Sequence, residues 1–257
     1  MNRTLLFGLL VAAPVAFAFA DEKPKPPLDA STHYERCLDA ARRAPQAGLA
    51  EAEDWRNANG GFPAEHCRAV ALFALKRYAD AAIAFEALAG AMMNKAASLR
   101  AGAMEQAAQA WILAAEPAKA RGALDAALRF TPNDPDIFID RARADADAND
   151  FAAAVADLDS ALALAPQRED ALVYRASAYR QLDRLDRARA DIDAALKIAP
   201  DDVSGLLERG NIGRLMGDRT GAAADWQRIE KLAPGSPAAA AAAANLARLA
   251  AEPKPQP

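Results

Sequence analysis

The chain has 257 residues, a formal net charge of -4, and an apolar content made mostly of Ala and Leu rather than β-branched and aromatic residues. That composition favours helix and argues against an all-β fold. Charges of both signs are interspersed without a basic stripe, and no histidine follows His66, so nucleic acid is not an expected partner and most of the chain lacks the commonest acid–base and metal-binding side chain.

Residues 1–20 have the form of a secretory signal peptide. Arg3 and the amino terminus supply positive charge, Leu5 to Phe17 an apolar run, and Ala18-Phe19-Ala20 a small-x-small cleavage site before Asp21-Glu22. An uncleaved anchor is the alternative, although Thr4 to Ala20 is short for a membrane span. No Cys follows the run, so a lipoprotein anchor is not indicated. The expectation is a periplasmic or secreted protein with no stable membrane insertion after cleavage, in an oxidising compartment. Residues 21–28 read as a disordered, Pro-rich spacer.

Residues 29–61 read as an irregular helical pair. Tyr34, Cys37, Leu38 and Ala41 share one helix face; Pro45 opens a second segment with Leu49, Ala52 and Trp55 on its stripe, and Gly60-Gly61 ends it. Residues 62–95 form a clearer pair. Pro63 suits a first helical turn, and Cys67, Val70, Ala71 and Ala74 line one side. Lys76-Arg77 marks the turn before Tyr78, Ala81, Phe85 and Leu88. Extra residues around Met92 to Ala97 either lengthen the next helix or break the register.

From Ala101 the chain repeats without gaps as 101–134, 135–168, 169–202 and 203–236, followed by an Ala-rich helix over 237–250 and a polar tail, 251–257, read as disordered. Pro132, Pro166, Pro200 and Pro234 lie 34 residues apart, as do Arg141, Arg175 and Arg209, and Asp157, Asp191 and Asp225. A fixed period of this length marks stacked supersecondary units. Turns are expected near Glu116-Pro117, Asn149-Asp150, Leu182-Asp183 and Gly217-Asp218, and Asp134-Pro135 and Ser236-Pro237 each offer a cap followed by Pro at the first helical position.

Counted from Ala101, position 8 of the repeat is Ala108, Ala142, Ala176 and Gly210, and position 20 is Ala120, Ala154, Ala188 and Ala222. Position 24 is bulky: Leu124, Leu158, Ile192 and Trp226. Small residues at 8 and 20 let paired helices approach, and the bulky residue fills the space between units. This pattern resembles the tetratricopeptide repeat over Ala101 to Gly235, more loosely over Phe62 to Lys95, and in degenerate form over Asp29 to Gly61. It departs from the family at position 4, where the usual aromatic is Met104, Phe138, Leu172 and Leu206, and at position 8, where Gly occurs once.

The resemblance implies an all-α, right-handed superhelical solenoid of about 5–6 helix-turn-helix repeats with a C-terminal capping helix. It further implies a non-catalytic scaffold or adaptor, monomeric or weakly oligomeric, that takes a protein or peptide in its concave groove and needs no cofactor. With the signal peptide, this would place it in the bacterial cell envelope. The groove positions carried over are Gln109, Asp140, Arg143, Tyr174, Ser177, Arg180, Asn211 and Arg214. The row Arg143, Arg180 and Arg214 beside Tyr174 suits an extended peptide or C-terminal carboxylate. The alternative is a solvated face whose Arg residues balance Asp140 and Glu208. Position 5 is Glu105, Ile139, Val173 and Leu207, so the carboxylate clamp of the family's chaperone-binding members is absent. Arg at position 7 and Asp at position 23 occur together in the last three units and are lost together in the first, as Ala107 and Ala123, which predicts a partly exposed Arg–Asp strut.

Cys37 and Cys67 lie 30 residues apart on first helices of adjacent units, which are neighbours in a solenoid. One disulfide is the expectation for an exported chain, with two free buried thiols as the alternative. A metal site from His33, Cys37, His66 and Cys67 is a further alternative, although His66 and Cys67 point about 100° apart on a helix. A thiol-based redox role lacks both a Cys-x-x-Cys and a βαβ pattern.

Overall fold

The computed structural model describes residues 29–252, so the signal, the spacer and residues 253–257 of the tail lie outside the described residues. The described residues form thirteen helices and no strand. Six successive pairs are α1 (Ala30–Arg43) with α2 (Pro45–Asn57), α3 (Gly61–Ala74) with α4 (Tyr78–Ala91), α5 (Ala97–Leu113) with α6 (Pro117–Phe130), α7 (Pro135–Asp147) with α8 (Phe151–Leu164), α9 (Glu169–Gln181) with α10 (Leu185–Ile198), and α11 (Val203–Leu215) with α12 (Arg219–Leu232). The unpaired α13 (Pro237–Ala251) closes the series. Each helix packs on its neighbours in the chain, which makes the molecule a solenoid. None of the helices is long and apolar enough to cross a membrane.

The period is enforced at the turns. Ala115, Asn149, Asp183 and Gly217, 34 residues apart, all have positive φ and end the first helix of their unit. One residue on, the amide of Glu116, Asp150, Arg184 and Asp218 donates back to the carbonyl of Trp111, Asp145, Tyr179 and Gly213 at 2.8–2.9 Å. This is the Schellman closure, and it consumes carbonyls the helix end would otherwise leave bare. Helix starts are equally explicit. Asp134 accepts from the Asp136 amide before Pro135, and Ser236 accepts from the Ala239 amide before Pro237.

Helix approach depends on the small residues. Ala108, Ala142 and Ala176, with Ala120, Ala154, Ala188 and Ala222, are all buried. Gly210 occupies the corresponding place where position 24 is the fully buried Trp226; a Cβ at residue 210 would stand 2.8 Å from Trp226 Cε2. The large residue on α12 therefore requires the missing one on α11. In the irregular first pair, Gly48 does the same work, since a Cβ there would lie 2.5 Å from Ala41 Cα on α1.

The Arg–Asp strut is present, but it is more buried and more extended than a partly exposed pair. Arg141 grips Asp157 with two nitrogens, Nε to Oδ2 at 2.7 Å and a second at 2.5 Å, and Arg175 and Arg209 hold Asp191 and Asp225 alike. The three carboxylates are buried. A remaining guanidinium nitrogen crosses to the preceding unit, to Asp125 from Arg141 and to Asp159 from Arg175, each at 2.7 Å. Each strut thus ties two helices of one unit and staples that unit to the one before.

Two boundaries differ from the sequence expectation. Gly61, with φ +61°, opens α3 instead of ending the preceding segment. At the other end α13 runs through Ala251, and Glu252 accepts from both Arg214 and Arg219 at 3.0 Å, so the chain stays fixed beyond residue 250.

The register break has both anticipated effects. Residues 92–96 form a turn, and α5 is lengthened to 17 residues. Along the inner edge α1 packs closely on α3, with lighter packing of α7 on α9, α9 on α11 and α11 on α13, and α3 reaches α5 through His66 and Gln106.

Candidate functional site

The eight groove residues named from the repeat fall into two unlike groups. In the C-terminal half the polar side chains are already engaged. Arg180 donates to Glu208 of the next unit at 2.6 Å, with side chains only 20% and 10% exposed, so its fork is not offered to a partner carboxylate. Arg214 is held by Glu252, and Asn211 accepts from Asn245 of α13 at 3.0 Å. Of the row Arg143, Arg180 and Arg214, the last two are thus held by carboxylates, one in the next unit and one beyond the last helix.

In the N-terminal half the face is open. Arg143 is half exposed, bonds Asp140 at 3.1 Å one helical turn away, and lies over the Tyr174 ring at 5.8 Å. Gln109 and Tyr174 are exposed, and Ser177 is half-buried beside Arg143 and Tyr174. Between α5 and α7 lies a cleft of about 470 Å³ lined by Glu105, Gln106, Gln109, Leu113, Asp140 and Arg143. Between α3 and α5 lies a second pocket of about 380 Å³, walled by Phe62, His66, Leu88, Met92, Leu99 and Gln106, with Tyr34 from α1 at its edge. Gly102 and Gln106 line both, so the two depressions adjoin along α5.

Three polar groups of the second pocket bond one another in a chain. His66 Nε2 lies 3.0 Å from Gln106 Oε1, which makes that nitrogen the donor, and Nδ1 accepts from the Tyr34 hydroxyl at 2.8 Å. Burial holds the imidazole below its ordinary pKa, the Gln106 contact only partly opposing it, and burial raises the Tyr34 phenol. His66 is thus a neutral wall at physiological pH. In the cleft the charge is negative. Burial pushes the Glu105 carboxyl up, reinforced by Asp134, Asp140 and Asp136; burial also raises Asp140, against the pull of Arg143. Glu105 forms no ion pair among the described residues.

Sequence reasoning missed Tyr34, Phe62, His66, Leu88, Met92, Leu99 and Gly102. The pocket depends on the register break, which puts His66 and Gln106 in contact across 40 residues instead of one repeat. The inserted turn itself was the only available signal.

Cys37 and Cys67 are joined by a disulfide with Cα atoms 6.1 Å apart, and both residues are fully buried. His33 stacks on Trp55 at 4.1 Å and faces Glu51, while His66 points to Tyr34 and Gln106. The four side chains weighed as metal ligands are therefore committed to separate contacts.

No protein-family model and no curated protein matches the chain. Solved structures do. Cut9 in the APC/C hetero-tetramer Cut9–Hcn1 is similar with a TM-score of 0.60 at 13% identity, over 86% of this chain and 46% of that one. MamA is similar with a TM-score of 0.55 at 15% identity, over 64% of this chain and 93% of its own. YrrB, described as a TPR protein with an unusual peptide-binding site, reaches 0.54 at 14% identity, over 75% and 96%. Six helix pairs stacked in chain order, the last four with their turns and small contacts on a 34-residue period, together with these likenesses, give the chain the fold of the tetratricopeptide-repeat solenoids.

Proposed function

We propose that the chain is a non-catalytic scaffold of the bacterial cell envelope that holds a segment of a partner protein along the inner face around α5. The observation that carries this reading is the pair of clefts flanking α5, while ion pairs and α13 engage Arg180, Arg214 and Asn211 toward the other end of the face. Exposed Tyr174 stacked under Arg143 adds an amphipathic contact of the kind enriched at interfaces. The peptide-binding site described for YrrB is consistent with this use of the fold. The envelope assignment rests on the signal-like residues 1–20 and agrees with a disulfide, which persists in oxidising compartments.

The test is copurification from the envelope fraction under native conditions. Gln109→Glu combined with Arg143→Glu is expected to lose a specifically bound partner that Arg180→Ala retains. Partner binding that survives the first change and fails with the second would place the contact in the other half and overturn the reading.

A further inference from the structure

The pocket between α3 and α5 has a chemistry that specifies its occupant. Its floor, Leu88, Met92 and Ala103, forms a small apolar cluster with Phe62 and Met104 packed against it, separate from the two main cores. Tyr34, His66 and Gln106 bond one another in a chain that engages both imidazole nitrogens, and the lining carries no charged side chain. A charged group placed there would lose water and gain no counter-charge, whereas an apolar side chain gains from every square ångström it buries. Leu99, 57% exposed at the rim, extends the apolar lining outward.

The way out of the pocket leads past Gly102, where a Cβ would meet nothing within 4 Å, into the cleft that holds Glu105 and Asp140. There Arg143 is the one cation in the lining, facing two carboxylates whose ionisation is resisted by burial. A positive charge brought to this cleft would relieve that resistance; a negative one would add to it.

We propose that this pocket takes a single apolar side chain of the Leu, Met or Phe class from an extended partner segment, and that a Lys or Arg beside it lies against Glu105 and Asp140. The proposal rests on the reading of the inner face as the partner-binding surface, and it narrows the partner to a segment of mixed basic and apolar character.

The test uses three synthetic peptides, blocked at both ends, with the cores Lys-Leu-Lys, Glu-Leu-Glu and Lys-Ser-Lys, titrated into the intact oxidised protein and followed by NMR. Lys-Leu-Lys is expected to shift the signals of Tyr34, His66 and Gly102 and to bind at least about tenfold tighter than either control. Gly102→Leu fills the passage from a site with free space at Cβ, and should weaken Lys-Leu-Lys at least about tenfold. Glu105→Lys should reverse the preference between the Lys and Glu peptides. Equal affinity for those two peptides, or no shift at Tyr34, His66 and Gly102 at millimolar peptide, would overturn the proposal. Shifts at the same residues that grow with protein concentration alone would assign the pocket to a second copy of the chain and overturn it too. If the partner is still lost on changing Gln109 and Arg143 while the peptide result is negative, the pocket assignment fails and the scaffold reading stands.

Discussion

Glu105 lines the cleft between α5 and α7 among other carboxylates. Its pKa is raised by burial and by Asp134, Asp140 and Asp136, so the folded protein holds its proton more tightly than the unfolded chain does. The stability this contributes is complete below the ordinary Glu pKa of about 4.3 and is lost as pH rises through the raised value. Glu105→Gln should therefore melt higher than the parent at pH 7, by about 0.5 kcal/mol or less, and the gap should close near pH 4. Thermal melts at the two pH values check this, and a lower melting point for the variant at pH 7 would contradict it. His66 has the opposite sense. Its depressed pKa means that stability present above about pH 6.5 falls as the pH drops toward the folded-state value. The residue-level features legible in the sequence were those that repeat; Glu105 and His66 do not, and their roles emerge only where the register breaks.

At the scale of the element, the strut explains why Arg and Asp vanish together from the unit beginning at Ala101. There Ala107 and Ala123 are both buried and simply pack. Removing one partner elsewhere strands a buried charge, at a cost of about 3–5 kcal/mol, whereas removing both lets the helices close on small side chains. Arg175→Ala should thus destabilise more than Arg175→Ala combined with Asp191→Ala, a non-additivity that chemical denaturation measures directly. Equal or additive losses would mean that the second arm, from Arg175 to Asp159, carries the contact instead. The intra-unit pairing could be read from co-occurrence at positions 7 and 23. The arm to the preceding unit leaves a different trace, since Asp125, Asp159 and Asp193 each stand in a unit followed by an Arg at position 7, and Gln227 replaces them in the last unit, which no such Arg follows. Arg180 and Arg214 find their partners 28 and 38 residues on, at Glu208, which the balancing alternative named, and at Glu252, which it did not.

The whole molecule joins a regular C-terminal array to an irregular N-terminal cap, and the disulfide sits in the cap. Cys37 is one turn from Tyr34 on α1, and Cys67 is adjacent to His66 on α3, so the bond fixes the two helices that carry the pocket's hydroxyl–imidazole contact. Closing a loop of about 30 residues stabilises by roughly 3–4 kcal/mol in the chain-entropy view. Because units in a solenoid interact mainly with neighbours, Cys37→Ser with Cys67→Ser should loosen α1 and α2 first and leave α7 to α13 protected. Amide exchange resolves the two ends; uniform loss of protection would contradict the local role. The solenoid itself was legible from spacing alone, since Pro, Arg and Asp recur at fixed intervals and the turn residues follow them. Which half of its inner face is free was not legible, because that depends on the clefts beside α5 and on where α13 and Glu252 come to rest.

Partner binding, as we propose, belongs to the open half around α5. Site-specific photo-crosslinkers placed at Gln109 and at Asn211 in the full chain, activated in the native envelope, test it most directly. The account predicts one discrete crosslinked partner from Gln109 and none from Asn211; a partner captured through Asn211 alone would contradict it.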